Sequence, residues 1–172
     1  CLLGNLTAGL LARRRHEAAQ QASARRFRAV VNSLDALVYV ADMQTYELLF
    51  LNAAAREHFG AREGQTCWEI LQGRRDGPCE FCTNDRLVDE WGQPNEGLVW
   101  AFRNRQDLHW YECQDRAIHW PDGRLVRLEI ATDINDRKRA EELQRFGAYQ
   151  AGVAEMATSV LHNIGNAITQ VT

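Results

Sequence analysis

No segment of this 172-residue chain is both apolar enough and long enough to cross a bilayer. The most apolar-leaning stretch, Cys1 to Ala12, falls short of the ~20 residues a spanning helix needs. It is also broken by Asn5 and Thr7. A secretory signal with its cleavage site is missing, and so is any large excess of one charge. The chain has 20 Lys+Arg against 23 Asp+Glu, a formal net charge of −3. A chain that is 45% apolar and 25% charged is not collagen, a disordered tail or a span-rich membrane protein. Its length suits one domain with extensions. The cysteines, Cys1, Cys67, Cys79, Cys82 and Cys113, are odd in number. Without a signal peptide that argues against a secreted disulfide scaffold and for a reducing, cytoplasmic compartment. The first residue is Cys rather than Met, so an excised piece of a longer protein is expected.

Charge is unevenly placed. Residues 1–28 hold Arg13, Arg14, Arg15, Arg25, Arg26 and Arg28 against Glu17 alone, a surplus of five positive charges. The remainder must then carry eight negative charges in excess. No aromatic platform or DNA-reading motif accompanies the arginines, so no nucleic-acid partner is expected. An apolar run followed at once by three arginines resembles the cytoplasmic exit of a membrane helix, which would make this the cytoplasmic part of an inner-membrane-anchored protein. A solvated helix with a charged face is the other reading.

Three sections divide the chain. Residues 1–28 are rich in Ala, Gln, Arg and Leu and free of proline, as in a helical linker. Residues 136–172 also lack proline and repeat apolar or small residues at Phe146, Tyr149, Val153, Met156, Val160, Ile164, Ala167 and Val171. Those steps of three and four make a heptad-like seam, either the core face of a monomeric bundle or a dimer seam. With no second helix left to cover it, self-association is the favoured expectation. Residues 29–135 are enough for one core. Within them Leu37–Ala41 and Leu48–Leu51 read as strands around the turn Asp42 to Glu47. Short helices are expected at Ala53–Phe59, Thr66–Gln72 and Glu80–Asp89, separated by glycines. Three more strands follow, Leu98–Arg103, Leu108–His119 and Leu125–Ile134, the last two joined by Pro121-Asp122-Gly123. The expected class is α+β with a five-stranded antiparallel sheet and short helices, flanked by helices at both ends.

The five-strand order, Asn52 opening the helices after the second strand, and the closing run Leu128-Glu129-Ile130-Ala131-Thr132-Asp133-Ile134-Asn135-Asp136-Arg137 resemble a PAS domain. The family's exit motif is an Asp-Ile-Thr-like triplet, and here Asn135 stands in the Thr position. The resemblance covers about residues 25–140. It implies that Asp133 couples the sheet to an output helix. Read from the sequence alone, Asp133 is a strand-end or helix-capping carboxylate.

His162 lies two residues past Val160, about 200° round a helix, so its ring is expected to face away from the seam. An exposed imidazole is a nucleophile near neutral pH, and Asn163 and Asn166 stand close enough in sequence to bond it or a nearby water. Together with the PAS-like section, the segment from Glu155 to Ile168 resembles the phosphoacceptor box of a sensor histidine kinase, in a variant reading His-Asn-x-Gly-Asn. The resemblance implies that His162 attacks the γ-phosphate of ATP, with Mg²⁺, held by a separate catalytic domain. The phosphoryl group would then pass to an aspartate on a response regulator receiver domain. It also implies a homodimer. The box commonly has an acid after the histidine and a proline five residues on. Asn163 cannot act as a general base and would only orient the ring, and Ala167 replaces the proline. Asn166 matches the position that holds a water for dephosphorylation. The ten residues after His162 contain neither a second dimerisation helix nor a glycine-rich nucleotide site, so these residues alone are expected to lack kinase activity. The rival reading is a non-enzymatic PAS module whose last helix merely dimerises.

Cys67, Cys79 and Cys82, spaced Cys-x11-Cys-x2-Cys, fall where such domains build ligand pockets, and the signal there is expected to be a small molecule or a redox change. Packing as small hydrophobes, a thiol–disulfide pair and a metal site are all compatible with the spacing, with Cys113 or a histidine as a fourth ligand. Arg74 and Arg75 would favour thiolates, and Trp68, Ile70, Leu71 and Phe81 would keep the thiols neutral. Thr66 to Gln72 has a superficial likeness to a flavin-adduct motif, but the last strand offers no Gln for a flavin edge. His58 as a haem ligand has equally little behind it. The five tryptophans are expected to be core or interface aromatics.

Overall fold

The computed structural model describes residues 2–73 and 76–169, with side chains over 13–73 and 76–160. It forms two units, residues 1–133 and 134–172. The first opens with α1 (Leu2–Asn32). The strands are β1 (Leu37–Asp42), β2 (Leu48–Leu51), β3 (Leu98–Arg103), β4 (Trp110–His119) and β5 (Leu125–Asp133). Between β2 and β3 lie α2 (Ala53–Phe59), α3 (Cys67–Gln72) and one 3₁₀ turn, Asn84–Arg86. The sheet is antiparallel in the order β2-β1-β5-β4-β3.

β5, last in sequence, is therefore central and bonded on both sides. Its alternation divides the sheet. Val126, Leu128 and Ile130 join Val38, Val40, Phe50 and Val31 on one face. Tyr39, Ala41, Leu48 and Leu51 pack on the other with Ala55, Cys67 and Leu71 from the short helices. β1 reads as an unbroken apolar run because both of its faces are covered, whereas edge strand β3 alternates half-buried and exposed residues. The end of α1 lies on the first of these faces. Phe27 sits 5.5 Å from Phe50, and Asn32 Oδ1 accepts from the Ala53 backbone N–H at 2.8 Å.

Asn52 ties this corner together. Its Oδ1 accepts from the N–H groups of Ala55 (3.0 Å), capping α2, and of Val38 (3.1 Å) in β1. Its Nδ2 donates to the carbonyls of Ala36 (2.8 Å) and Val31 (3.2 Å). Gly97, with φ of +88°, opens β3 where a Cβ would lie 2.6 Å from the Asp115 carbonyl oxygen, so only glycine lets β3 and β4 approach there.

Two expectations are corrected. The helix expected at Glu80–Asp89 is only the 3₁₀ turn, because the side chains of Thr83 and Asn84 are drawn into the interior. Thr83 Oγ1 donates to Asp115, and Asn84 Nδ2 donates to the Met43 carbonyl at 2.9 Å. β4 starts at Trp110 rather than Leu108, because Leu108 takes φ of +63° in the loop closed by Asn104 N–H to His109 C=O at 2.8 Å. Trp91 is 75% exposed, so of the core and interface roles expected for the tryptophans only the interface one is open to it.

The second unit is α4 (Asn135–Thr169). Its seam residues Phe146, Tyr149, Val153, Met156 and Val160 are 48–71% exposed. Ion pairs one turn apart, such as Lys138–Glu141 at 3.4 Å, line its first turns.

Candidate functional site

Register places Tyr39 of β1 and Asp115 of β4 on either side of Glu129 of β5, with Arg127 two residues along the same face. All four are buried, so this face of the sheet holds one cation and two carboxyl groups out of water. Arg127 fans outward. Nη2 donates to Tyr39 Oη (3.0 Å), Nη1 donates to Asn84 Oδ1 (3.2 Å), and Nε lies 3.6 Å from Glu129 Oε2. It also reaches sulfur, from Nη1 to Cys82 Sγ at 3.6 Å and from Nη2 to Cys67 Sγ at 3.9 Å. Tyr39 passes the bond on, donating to Glu129 Oε2 at 2.5 Å. Asp115 Oδ2 accepts from Thr83 Oγ1 (2.5 Å) and Trp100 Nε1 (2.9 Å).

Above this network lies a partly open cavity, with about 390 Å³ of empty space when the solvent at its mouth is included. Its walls are flat aromatics (Trp68, Phe81, Trp100, Phe102) with Cys67, Cys79 and Cys82 among them. A second lobe of about 330 Å³ shares Tyr39, Gln72 and Glu129 and runs toward Phe59, Asn104 and Tyr111. Three buried polar atoms have no hydrogen-bond partner among the described residues: Arg127 Nε, Asp115 Oδ1 and Gln72 Oε1. Arg127 and Gln72 line the cavity. Apolar walls with a few converging polar groups are the lining of a small-molecule site.

Burial, strengthened by the Asp115 charge, pushes the Glu129 carboxyl up to about 7; Arg127, Tyr39 and Cys113 oppose it without prevailing. Protonated Glu129 leaves Arg127 and Asp115 as a balanced buried pair. Burial also lifts the Cys67 thiol to about 11 despite Arg127 beside it, and lifts Cys113 further. Arg127 stays cationic: burial works against its charge, but Tyr39 and Glu129, followed by Cys67 and Asp115, outweigh it.

Because the folded protein holds a proton on Glu129 that the unfolded chain releases near 4.5, this group stabilises the fold below that pH and ceases to as pH rises through about 7. Urea unfolding should show the wild type losing roughly 2–4 kcal/mol relative to Glu129→Gln between pH 4.5 and 7.5. Parallel curves for the two proteins would contradict the assignment.

A polar cluster lies at the far end of the second lobe. Asp107 Oδ2 takes His58 Nε2 at 2.6 Å and the Tyr111 hydroxyl at 2.7 Å, and Asp133 Oδ2 pairs with His109 Nδ1 at 2.6 Å. His58 lines neither cavity.

Of the residues singled out from the sequence, Cys67, Cys79 and Cys82 come to one cavity. Among the described residues no group of three or more His, Cys, Asp or Glu is placed to hold a metal ion. His162, Asn163 and Asn166 lie on α4, and their side chains fall outside the described residues. Sequence reasoning missed Tyr39, Asp115, Arg127 and Glu129. The signal available was Val126-Arg127-Leu128-Glu129-Ile130, where charges alternate with apolar residues in a strand that pairs with β1, whose own run is apolar on both faces.

The sheet order, with short helices inserted between its second and third strands, defines the PAS fold. Residues 25–92 match the family model described as a PAS domain. Three solved structures illustrate the likeness. A structure of an RNA-binding Light-Oxygen-Voltage receptor is 21% identical at a TM-score of 0.48, covering 70% of this chain and 36% of its own. The chain therefore spans about a third of that receptor. The PAS domain of nitrogen regulation protein NR(II) from Vibrio parahaemolyticus is 14% identical (TM-score 0.44), covering 60% and 94%. A sensory box histidine kinase/response regulator from Burkholderia thailandensis is 17% identical (TM-score 0.42), covering 73% and 96%. No curated protein matches the sequence.

Proposed function

We propose that this chain is the sensory and phosphoacceptor part of a histidine kinase. The PAS domain takes a small-molecule or redox signal in its cavity and passes it to a helix whose His162 receives phosphate from ATP, with Mg²⁺, and hands it to a response regulator aspartate. Asn163 orients the ring and Asn166 holds a water for dephosphorylation. The observation that supports this most is that Arg127 and Glu129, the charged floor of the cavity, lie on β5, the strand that runs in sequence directly into the helix bearing His162. Asp133 ends that strand. Its bond to His109 gives the strand end a fixed point that a change in the cavity floor could work against.

The exposed apolar seam of α4 supports a homodimer in this reading. At about 25 cal/mol per Å² the seam gains by leaving water, and light scattering of the chain at tens of micromolar should therefore read a dimer. In a kinase containing this sequence and its ATP-binding domain, labelled phosphate should appear on His162 as an acid-labile phosphoramidate. The variant His162→Ala should lose it entirely. Label that persists in the variant refutes the phosphoacceptor assignment, and a complete absence of label in the wild type favours the non-enzymatic PAS module.

A further inference from the structure

The cavity treats its thiols unequally. Cys67 and Cys113 are buried, whereas Cys79 and Cys82 are partly open. Cys79 and Cys82 also share a turn, in which the Cys82 N–H donates to the Cys79 carbonyl at 3.0 Å. A turn closed this way holds its end Cα atoms within about 7 Å, which overlaps the roughly 4.4–6.8 Å that a disulfide spans. Both side chains line the same cavity. Cys82 further receives an Arg127 N–H at 3.6 Å from a cation that burial does not discharge. A hydrogen bond from a buried guanidinium fixes the sulfur's position and steadies negative charge that develops on it during reaction.

We infer that Cys79 and Cys82 form a redox-active dithiol that is oxidised to an intramolecular disulfide by a hydroperoxide entering the cavity, with Cys82 as the attacking sulfur. Cys82 Sγ gives up its proton and attacks the terminal peroxide oxygen. The O–O bond breaks, an S–O bond forms, and the leaving hydroxide (or alkoxide) takes a proton. Cys79 then attacks the sulfenic sulfur; the S–O bond breaks, Cys79 gives up its proton and water leaves. Two thiols lose two electrons and the peroxide gains them, ending as two waters, or as water and an alcohol. Cys67 stays out because its burial keeps it a thiol. Arg127 acts as a positioning residue, and the disulfide removes one of the acceptors it now holds. This chemistry is independent of phosphotransfer, so its failure and that of the kinase reading are separately visible.

The test is peptide mass spectrometry on the intact chain after brief exposure to hydrogen peroxide and alkylation. Trypsin releases residues 76–86 as one peptide holding both cysteines. That peptide should lose two hydrogens and resist alkylation, while the Cys67 and Cys113 peptides remain alkylated thiols. Cys79→Ser should stop at a sulfenic acid on Cys82 that a 1,3-diketone traps, and Cys82→Ser should give roughly tenfold less trapping at Cys79. In the unoxidised protein at pH 7, iodoacetamide should modify Cys82 about tenfold faster than Cys67. A cross-link of either cysteine to Cys67, to Cys113 or between chains would overturn the proposal. So would an unchanged 76–86 peptide, or equal trapping in the two serine variants.

Discussion

Arg127→Met should lower the unfolding free energy by about 3–5 kcal/mol at pH 8, because it leaves the buried Asp115 and Glu129 side by side without their cation. The volume is nearly kept, so the loss reports charge rather than a void. Removing Arg127 also removes what holds the Glu129 carboxyl down, so its titration moves upward from about 7. At pH 5 that carboxyl is neutral in both proteins and the deficit should shrink. Chemical denaturation at the two pH values measures both. A deficit independent of pH would mean that Arg127 acts by packing and that Glu129 carries no charge in the folded protein at either pH.

Asn52→Ala should cost roughly 3–4 kcal/mol, a large effect for one amide. The side chain is fully buried and serves two N–H groups and two carbonyls from three separate segments. Alanine strands all four, and the lost helix cap alone is worth about 0.5–2 kcal/mol. Asn52→Asp keeps the acceptor for Val38 and Ala55 but sets a carboxylate against the Ala36 and Val31 carbonyls, so it should not rescue stability. Thermal melting of the three proteins decides the matter: an alanine variant within 1 kcal/mol of wild type would show that water takes over the bonds.

Local signals carried most of the fold. β2, α2 and β3 begin and end where hydrophobic runs and glycines said they would, because each is bounded by a residue with a strong backbone preference, such as Gly60 at φ of +64°. Glu80–Asp89 was illegible for the opposite reason. Thr83 and Asn84 are neutral in propensity, and what decides their shape is Asp115, Met43 and Arg127, far away in sequence. The cavity floor failed similarly. A charged residue in a strand reads as solvent-facing until the sheet order shows that β5 lies in the middle. The cysteines illustrate the limit most plainly. Arg74 and Arg75, just before Cys79, are the cations that the sequence offers the cysteine cluster, yet the guanidinium that reaches Cys82 and Cys67 comes from Arg127, far along the chain.

The central place of β5 bears on how the protein is made. Its partner β1 pairs Leu37 with Ala131 and Asp42 with Val126, so the middle of the sheet closes only across most of the domain. Contacts this distant fold slowly, and a ribosome delivers the N-terminal end first. During synthesis β1 and β2 can form their hairpin, with one edge of β1 unpaired until residue 133 has emerged. An unpaired apolar edge is a site for wrong pairing. Arg127 and Glu129 arrive on that same last strand, so a nascent chain has neither a finished sheet nor a floor to its cavity, and a chain arrested before β5 would be prone to aggregate.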